Sequence, residues 1–142
     1  MTKIISFANQ KGGVGKTTTA VNLSAALAEA GQSVLAIDFD PQGNLSSGLG
    51  IDKLNTEKTI YEVIIGDENI NDAILSTEVE NLDRIPSNVD LSGAEIELLE
   101  LEDRERTLRR KISEIYKEYD YIIIDCPPSL SLLTINAFMA SD

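Results

Sequence analysis

The segment Gln10-Lys11-Gly12-Gly13-Val14-Gly15-Lys16-Thr17 constrains this chain more than any other. It lies between an apolar, β-branched run at residues 3–8 (KIISFA) and a helical pattern at residues 16–30. In that pattern Ala20, Leu23, Leu27 and Ala30 recur at helical spacing, and Gly31 stands where a C-terminal cap belongs. A glycine-rich turn that leads from a buried strand into a helix presents successive backbone N–H groups, and the positive end of the helix, to an anion. Residues 33–38 (SVLAID) read as a second buried strand. Strand, helix and strand at this spacing form a βαβ unit, and strands buried on both faces imply a parallel sheet flanked by helices.

This is the position of a phosphate-binding P-loop. Glycines let the backbone approach phosphate oxygens, Lys16 would reach the β- and γ-phosphates, and the Thr17 hydroxyl would ligate Mg²⁺. The strict pattern requires glycine six residues before the lysine of Gly-Lys-Thr, and that place is held by Gln10. A second lysine, Lys11, stands five residues before Lys16. The alternative is a glycine-rich turn carrying two solvated lysines.

Two further strand ends carry acids. Asp38-Phe39-Asp40 closes the second strand, and in an open parallel sheet ligands sit outside the carboxyl ends of the strands. Asp40 could hold a metal-bound water or orient an attacking one, with Asp38 in the metal's outer shell; equally, Asp40-Pro41 could simply begin a turn. Asp125 follows the aliphatic run of residues 121–124, the Walker B arrangement, in which the carboxylate binds Mg²⁺ directly or through water.

Composition removes competing chemistries. With no His there is no Ser-His-Asp triad, and one Cys builds neither a disulfide within the chain nor a structural zinc site. Carboxylate, lysine, hydroxyl and backbone amide chemistry remain, which suits metal-assisted phosphoryl transfer. The formal net charge is −12, yet residues 1–51 carry Lys3, Lys11 and Lys16 against Glu29, Asp38 and Asp40, so the excess lies wholly beyond them. No apolar run approaches the roughly 18–20 residues of a membrane helix. The expectation is one cytoplasmic domain over residues 1–142, with no membrane contact.

The remaining chain reads as a loop at 41–50 and a short helix at 59–65 opened by Thr59-x-x-Glu62 and stopped by Gly66. A third strand is expected at 82–85, and two helices over 92–119 broken near Asp103, with Leu108, Ile112 and Ile115 on one face of the second. A strand at 121–125 and a helix at 131–140 follow. Cys126 reads as a small core residue, and residues 95–105 as the solvated face of a packed helix. Arg104, Arg106, Arg109, Arg110 and Lys111 are expected to pair with neighbouring acids at helical spacing rather than to form a DNA patch.

Taken together, residues 11–18 (KGGVGKTT), 38–44 (DFDPQGN) and 125–130 (DCPPSL) resemble the motifs of the ParA/Soj family of deviant Walker A ATPases. Residues 47–50, 91–95 and 132–137 are similar to that family as well, and Asp40-Pro41-Gln42 favours it over the related MinD proteins. The resemblance implies a P-loop NTPase fold, ATP and Mg²⁺ as ligands, and an ATP-dependent sandwich homodimer. Lys11 would act across the dimer on the partner's phosphates, as an arginine finger does, which can be worth about 10³–10⁵ in rate. Gly12, Gly13, Val14, Gly15, Lys16, Thr17 and Thr18 would complete the nucleotide cradle. Thr17, Asp40 and Asp125 would serve the metal, with Asp40 as the hydrolysis-linked residue and the backbone around Pro127 and Pro128 sensing the γ-phosphate. A ParB-like partner would stimulate hydrolysis. Family members continue past residues 140–142 into strands and helices that complete the sheet and contact adenine and nonspecific DNA. The chain is therefore expected to be the N-terminal part of such a domain, nucleoid-associated in its full form; the alternative is a truncated, inactive nucleotide-binding fragment or interaction module.

Overall fold

The computed structural model describes residues 1–8, 15–43, 45, 58–128 and 131–142. Gln10, Lys11, Gly12, Gly13 and Val14, Asn44, residues 47–50, and Ser129 and Leu130 lie outside the described residues, as does the Lys16 side chain. Among the described residues five strands form one sheet: β1 Lys3–Phe7, β2 Val34–Asp38, β3 Leu75–Ser76, β4 Leu82–Ile85 and β5 Tyr121–Asp125. Their spatial order is β1-β5-β2-β4-β3, with every pairing parallel except the short antiparallel β3 at the edge. The last strand in sequence is thus inserted between the first two, and the expected mostly parallel sheet is present.

Alternate residues of each strand feed two separate cores, as the two-residue period demands. Val34, Ala36 and Ile123 face one side, where helix α1 (Lys16–Glu29) packs; Leu35, Ile37, Ile122 and Ile124 face the other. The second side is covered by α2 (Ile60–Ile64), α3 (Ala94–Leu98), α4 (Thr107–Ile112) and α5 (Leu132–Ala140). The buried face of α1 keeps Ala20, with Leu23 and Leu27 packed at its margin, but is centred differently from the expected stripe. Ala20, Ser24 and Ala28 line it at four-residue spacing, Leu23 and Leu27 are half-buried, and Ala30 is exposed. Small residues let the helix axis lie close to the sheet, and the Ser24 hydroxyl satisfies itself on the Ala20 carbonyl at 2.8 Å. The helix ends in a Schellman motif: Gly31 has φ +90°, its N–H reaches the Ala28 carbonyl, and the Gln32 N–H reaches that of Leu27, each at 3.0 Å.

Two local signals are realised as read. Thr59 and Glu62 form a full capping box on α2, and a Cβ at Gly66 would come within 2.9 Å of the Glu62 carbonyl oxygen. Asp103, at φ +52°, breaks the helical stretch where expected. The second helix, however, stops at Ile112; residues 113–119 turn back toward β5, with Ile115 still against the core. Lys111 makes the expected local pairing, with Glu114 at 4.0 Å, and does more. It is buried, and its ammonium also bonds Asp67 at 2.5 Å, far away in sequence, while Arg106 pairs locally with Asp103 at 3.1 Å. Of the apolar residues at 95–105 only Leu98 is buried; Ile96, Leu99 and Leu101 are exposed.

Candidate functional site

Parallel pairing in register brings Phe7, Asp125 and Asp38 into one row at the carboxyl edge of β1, β5 and β2. Two backbone bonds extend the ladder past the strand ends: the Phe39 N–H donates to the Asp125 carbonyl at 2.9 Å, and the Cys126 N–H to the Phe7 carbonyl at 3.0 Å. The carboxylates on this edge are almost wholly buried, Asp125 at 0%, Asp38 at 1% and Asp40 at 4% exposure. Burial of acids on this scale demands partners.

The N-terminus of α1 arrives at the same edge. Gly15, at φ +81°, precedes the helix, and no side chain caps it. Glycine alone adopts that backbone without strain. Two residues on, the Thr17 hydroxyl donates to Asp125 Oδ2 at 2.9 Å. The two residues expected to share a metal are in contact although they are far apart in sequence. A hydroxyl and a carboxylate are the oxygen donors a hard divalent cation takes, and Mg²⁺ needs only one or two protein ligands because it keeps water and substrate oxygens. Among the described residues no group of three or more His, Cys, Asp and Glu is set to hold a metal. The donor set present fits Mg²⁺ shared with a phosphate.

Asp40 sits just outside the row, in a turn built from its own atoms. Its N–H donates to Asp38 Oδ1 at 3.2 Å, its carboxylate accepts the Gln42 N–H at 3.0 Å, and its carbonyl accepts the Gly43 N–H at 2.8 Å. Asp40-Pro41 begins a turn, and the adjoining Phe39 N–H ties that turn to the Asp125 carbonyl. A residue missed in the sequence holds it there. Ser87, buried after β4, donates its hydroxyl to the Asp40 carbonyl at 2.6 Å.

Cys126 is buried in the core cluster, as its residue type suggested. Pro127 is buried and Pro128 exposed at the start of the link from Asp125 to α5. At α5, the Ser131 hydroxyl accepts the Thr134 N–H at 3.4 Å, and Glu95 accepts the Leu133 N–H at 3.3 Å. Farther along, Asn136 accepts the Leu108 N–H and donates to the Arg104 and Leu132 carbonyls, which locks α5 to α4.

A parallel sheet with a glycine-led helix N-terminus, a threonine and a strand-end aspartate at its carboxyl edge defines the P-loop ATPase fold. A family model for an AAA domain matches residues 2–142. The chain is 57% identical over 142 residues, all of its length and 56% of the relative's, to sporulation initiation inhibitor protein Soj of Bacillus subtilis. It is 53% identical over 140 residues, 99% of its length and 50% of the relative's, to chromosome partitioning protein ParA of Myxococcus xanthus. Its fold matches a cobyrinic acid a,c-diamide synthase from Mycobacterium smegmatis, solved with ADP and magnesium, with a TM-score of 0.94 at 43% identity, covering 99% of this chain and 57% of that one. The chain belongs to the AAA domain family, in its ParA/Soj group. It spans about half the length of the curated relatives it matches.

Proposed function

We propose that this chain carries the phosphate- and metal-binding half of a partition ATPase that binds Mg-ATP, dimerises around it and is reset by hydrolysis. The observation that carries the reading is the 2.9 Å contact between the Thr17 hydroxyl and the Asp125 carboxylate beside the N-terminus of α1. The similar Mycobacterium smegmatis protein, solved with ADP and magnesium and again with an ATP analogue and magnesium, supports ATP and Mg²⁺ as ligands. The names of the Bacillus and Myxococcus relatives support chromosome segregation as the process served.

On this reading Thr17 and Asp125 hold the metal, which when bound neutralises charge on the β- and γ-phosphate oxygens. The backbone of residues 11–15 cradles those oxygens, Lys16 pairs with them as α1 begins, and Thr18 completes the first turn. Lys11 supplies its charge to the partner protomer's phosphates. Asp40 orients the attacking water, held by the turn that its own carbonyl and carboxylate organise. Pro127 and Pro128 remove two backbone donors and stiffen the link from Asp125 to α5, so a shift at the γ-phosphate is passed to the helix. A ParB-like partner and nonspecific DNA would engage the longer protein.

Calorimetry and gel filtration of the full-length protein test this. Lys16→Ala should abolish Mg-ATP binding, whereas Lys11→Ala should bind Mg-ATP as a monomer yet neither dimerise with a non-hydrolysable analogue nor turn over. Unchanged Mg-ATP affinity in Lys16→Ala would overturn the P-loop assignment, and dimers of Lys11→Ala would overturn the role in trans. Turnover by the 142-residue chain alone is expected to be weak; a rate equal to that of the full-length protein would show that the site needs nothing beyond these residues.

A further inference from the structure

The three residues that follow β4 grip the chain on both sides of residues 41–58. Ser87 donates to the Asp40 carbonyl at 2.6 Å, the Pro86 carbonyl accepts the Ile60 N–H at 2.8 Å, and the Asn88 amide donates to Thr59 Oγ1 at 3.1 Å. Asn88 is itself held, its Oδ1 accepting the Asp90 N–H at 3.0 Å. Pro86 and Ser87 are buried, so this grip is part of the packed structure rather than a surface contact. Of these bonds to the flanking chain, that of Ser87 is the one made to a residue of the proposed site.

The geometry points to Ser87 as a positioning residue for hydrolysis, one that sets the direction of the Asp40 side chain through the Asp40 backbone; the inference rests on the proposed role of Asp40. A hydroxyl that donates to a main-chain carbonyl leaves the side chain of that residue untouched, and so can orient it without competing for its oxygens. Among the described residues the Asp40 carbonyl accepts the Gly43 N–H from within the turn and the Ser87 hydroxyl from just after β4. The first shapes the turn, and the second ties it to the sheet on which Asp125 stands. Without Ser87 the turn keeps its shape and its ties to Asp38 and, through Phe39, to Asp125, but loses its tie on the β4 side, so Asp40 is presented to the attacking water over a wider range of angles. Loss of orientation of this kind lowers the rate of the chemical step more than it lowers affinity for the substrate.

The test is a double-mutant cycle in the full-length protein, with ATP turnover and melting temperature measured for Ser87→Ala, Asp40→Ala and the double variant. Ser87→Ala should lower kcat about fivefold, with KM for ATP within about twofold. Asp40→Ala should lower kcat further, and the double variant should be no slower than Asp40→Ala alone, because there is no longer a side chain to aim. Wild-type kcat in Ser87→Ala, or losses that multiply in the double variant, would overturn the positioning role. Normal turnover in Asp40→Ala would instead overturn the reading of Asp40 itself. A drop in melting temperature with equal loss in both backgrounds would mark Ser87 as structural only, which also overturns the proposal.

Discussion

At the scale of single residues, long-range pairing separates the groups that matter from those that resemble them locally. Lys111 stands in a run of basic residues, yet it alone of that run is buried, and Asp67 reaches it from the turn after α2. The bond from Lys111, with its positive charge, holds the Asp67 carboxyl below its ordinary range. A carboxyl whose pKa is depressed on folding adds stability that is present above its unfolded value, about 4, and lost as pH falls through the folded value. Asp67→Asn should therefore lower the melting temperature at pH 7, and the gap from wild type should close as pH falls through the folded value. A gap independent of pH would show that the pair contributes nothing through charge. Thr17 and Asp125 follow the same logic of distance: each was legible from its motif, and the contact confirms that the motifs meet. Ser87 was not legible, because a serine after a proline carries no signal until β4 is laid beside β2.

Among elements, α1 shows where periodicity misleads. Its pattern was read through Ala20, Leu23, Leu27 and Ala30, but a helix crossing close over a sheet buries its small residues most deeply, so Ser24 and Ala28 join Ala20 at the centre, Leu23 and Leu27 flank it and Ala30 is exposed. β3 is two residues long, below any pattern a sequence can display, and the helix expected through residue 119 ends early because Ile115 packs from a turn rather than from a helix. The elements that were legible are those with a chemical boundary: the Thr59 capping box, Gly31, Asp103 and the acids that end β2 and β5. The close seat of α1 also sets the site, since Thr17 is carried on its first turn. Ala20→Leu should destabilise the fold by about 1–3 kcal/mol through overpacking. By lifting α1 it should also weaken Mg²⁺-dependent nucleotide binding, read by titration with and without the metal. Loss of stability with metal dependence intact would show that Thr17 reaches Asp125 independently of how α1 is seated.

For the molecule as a whole, charge and architecture divide the labour. The net −12 resides beyond residue 51, while Lys11 and Lys16 belong to an electrically neutral stretch. The ladder that runs past the ends of β1, β5 and β2 divides the site again, into a floor and a rim. Phe39 and Cys126 donate their amides into the sheet, whereas Gln42 and Gly43 donate to Asp40 within one turn. Protons on the first pair should exchange with solvent only when the entire domain unfolds, and those on the second pair through local openings of far lower free energy. Native-state exchange by NMR would show two tiers at this edge; a single tier would mean that floor and rim melt together. On the proposed function, a bound ligand would quiet the rim of a site so graded, while the floor would hold its shape whether the site is filled or empty.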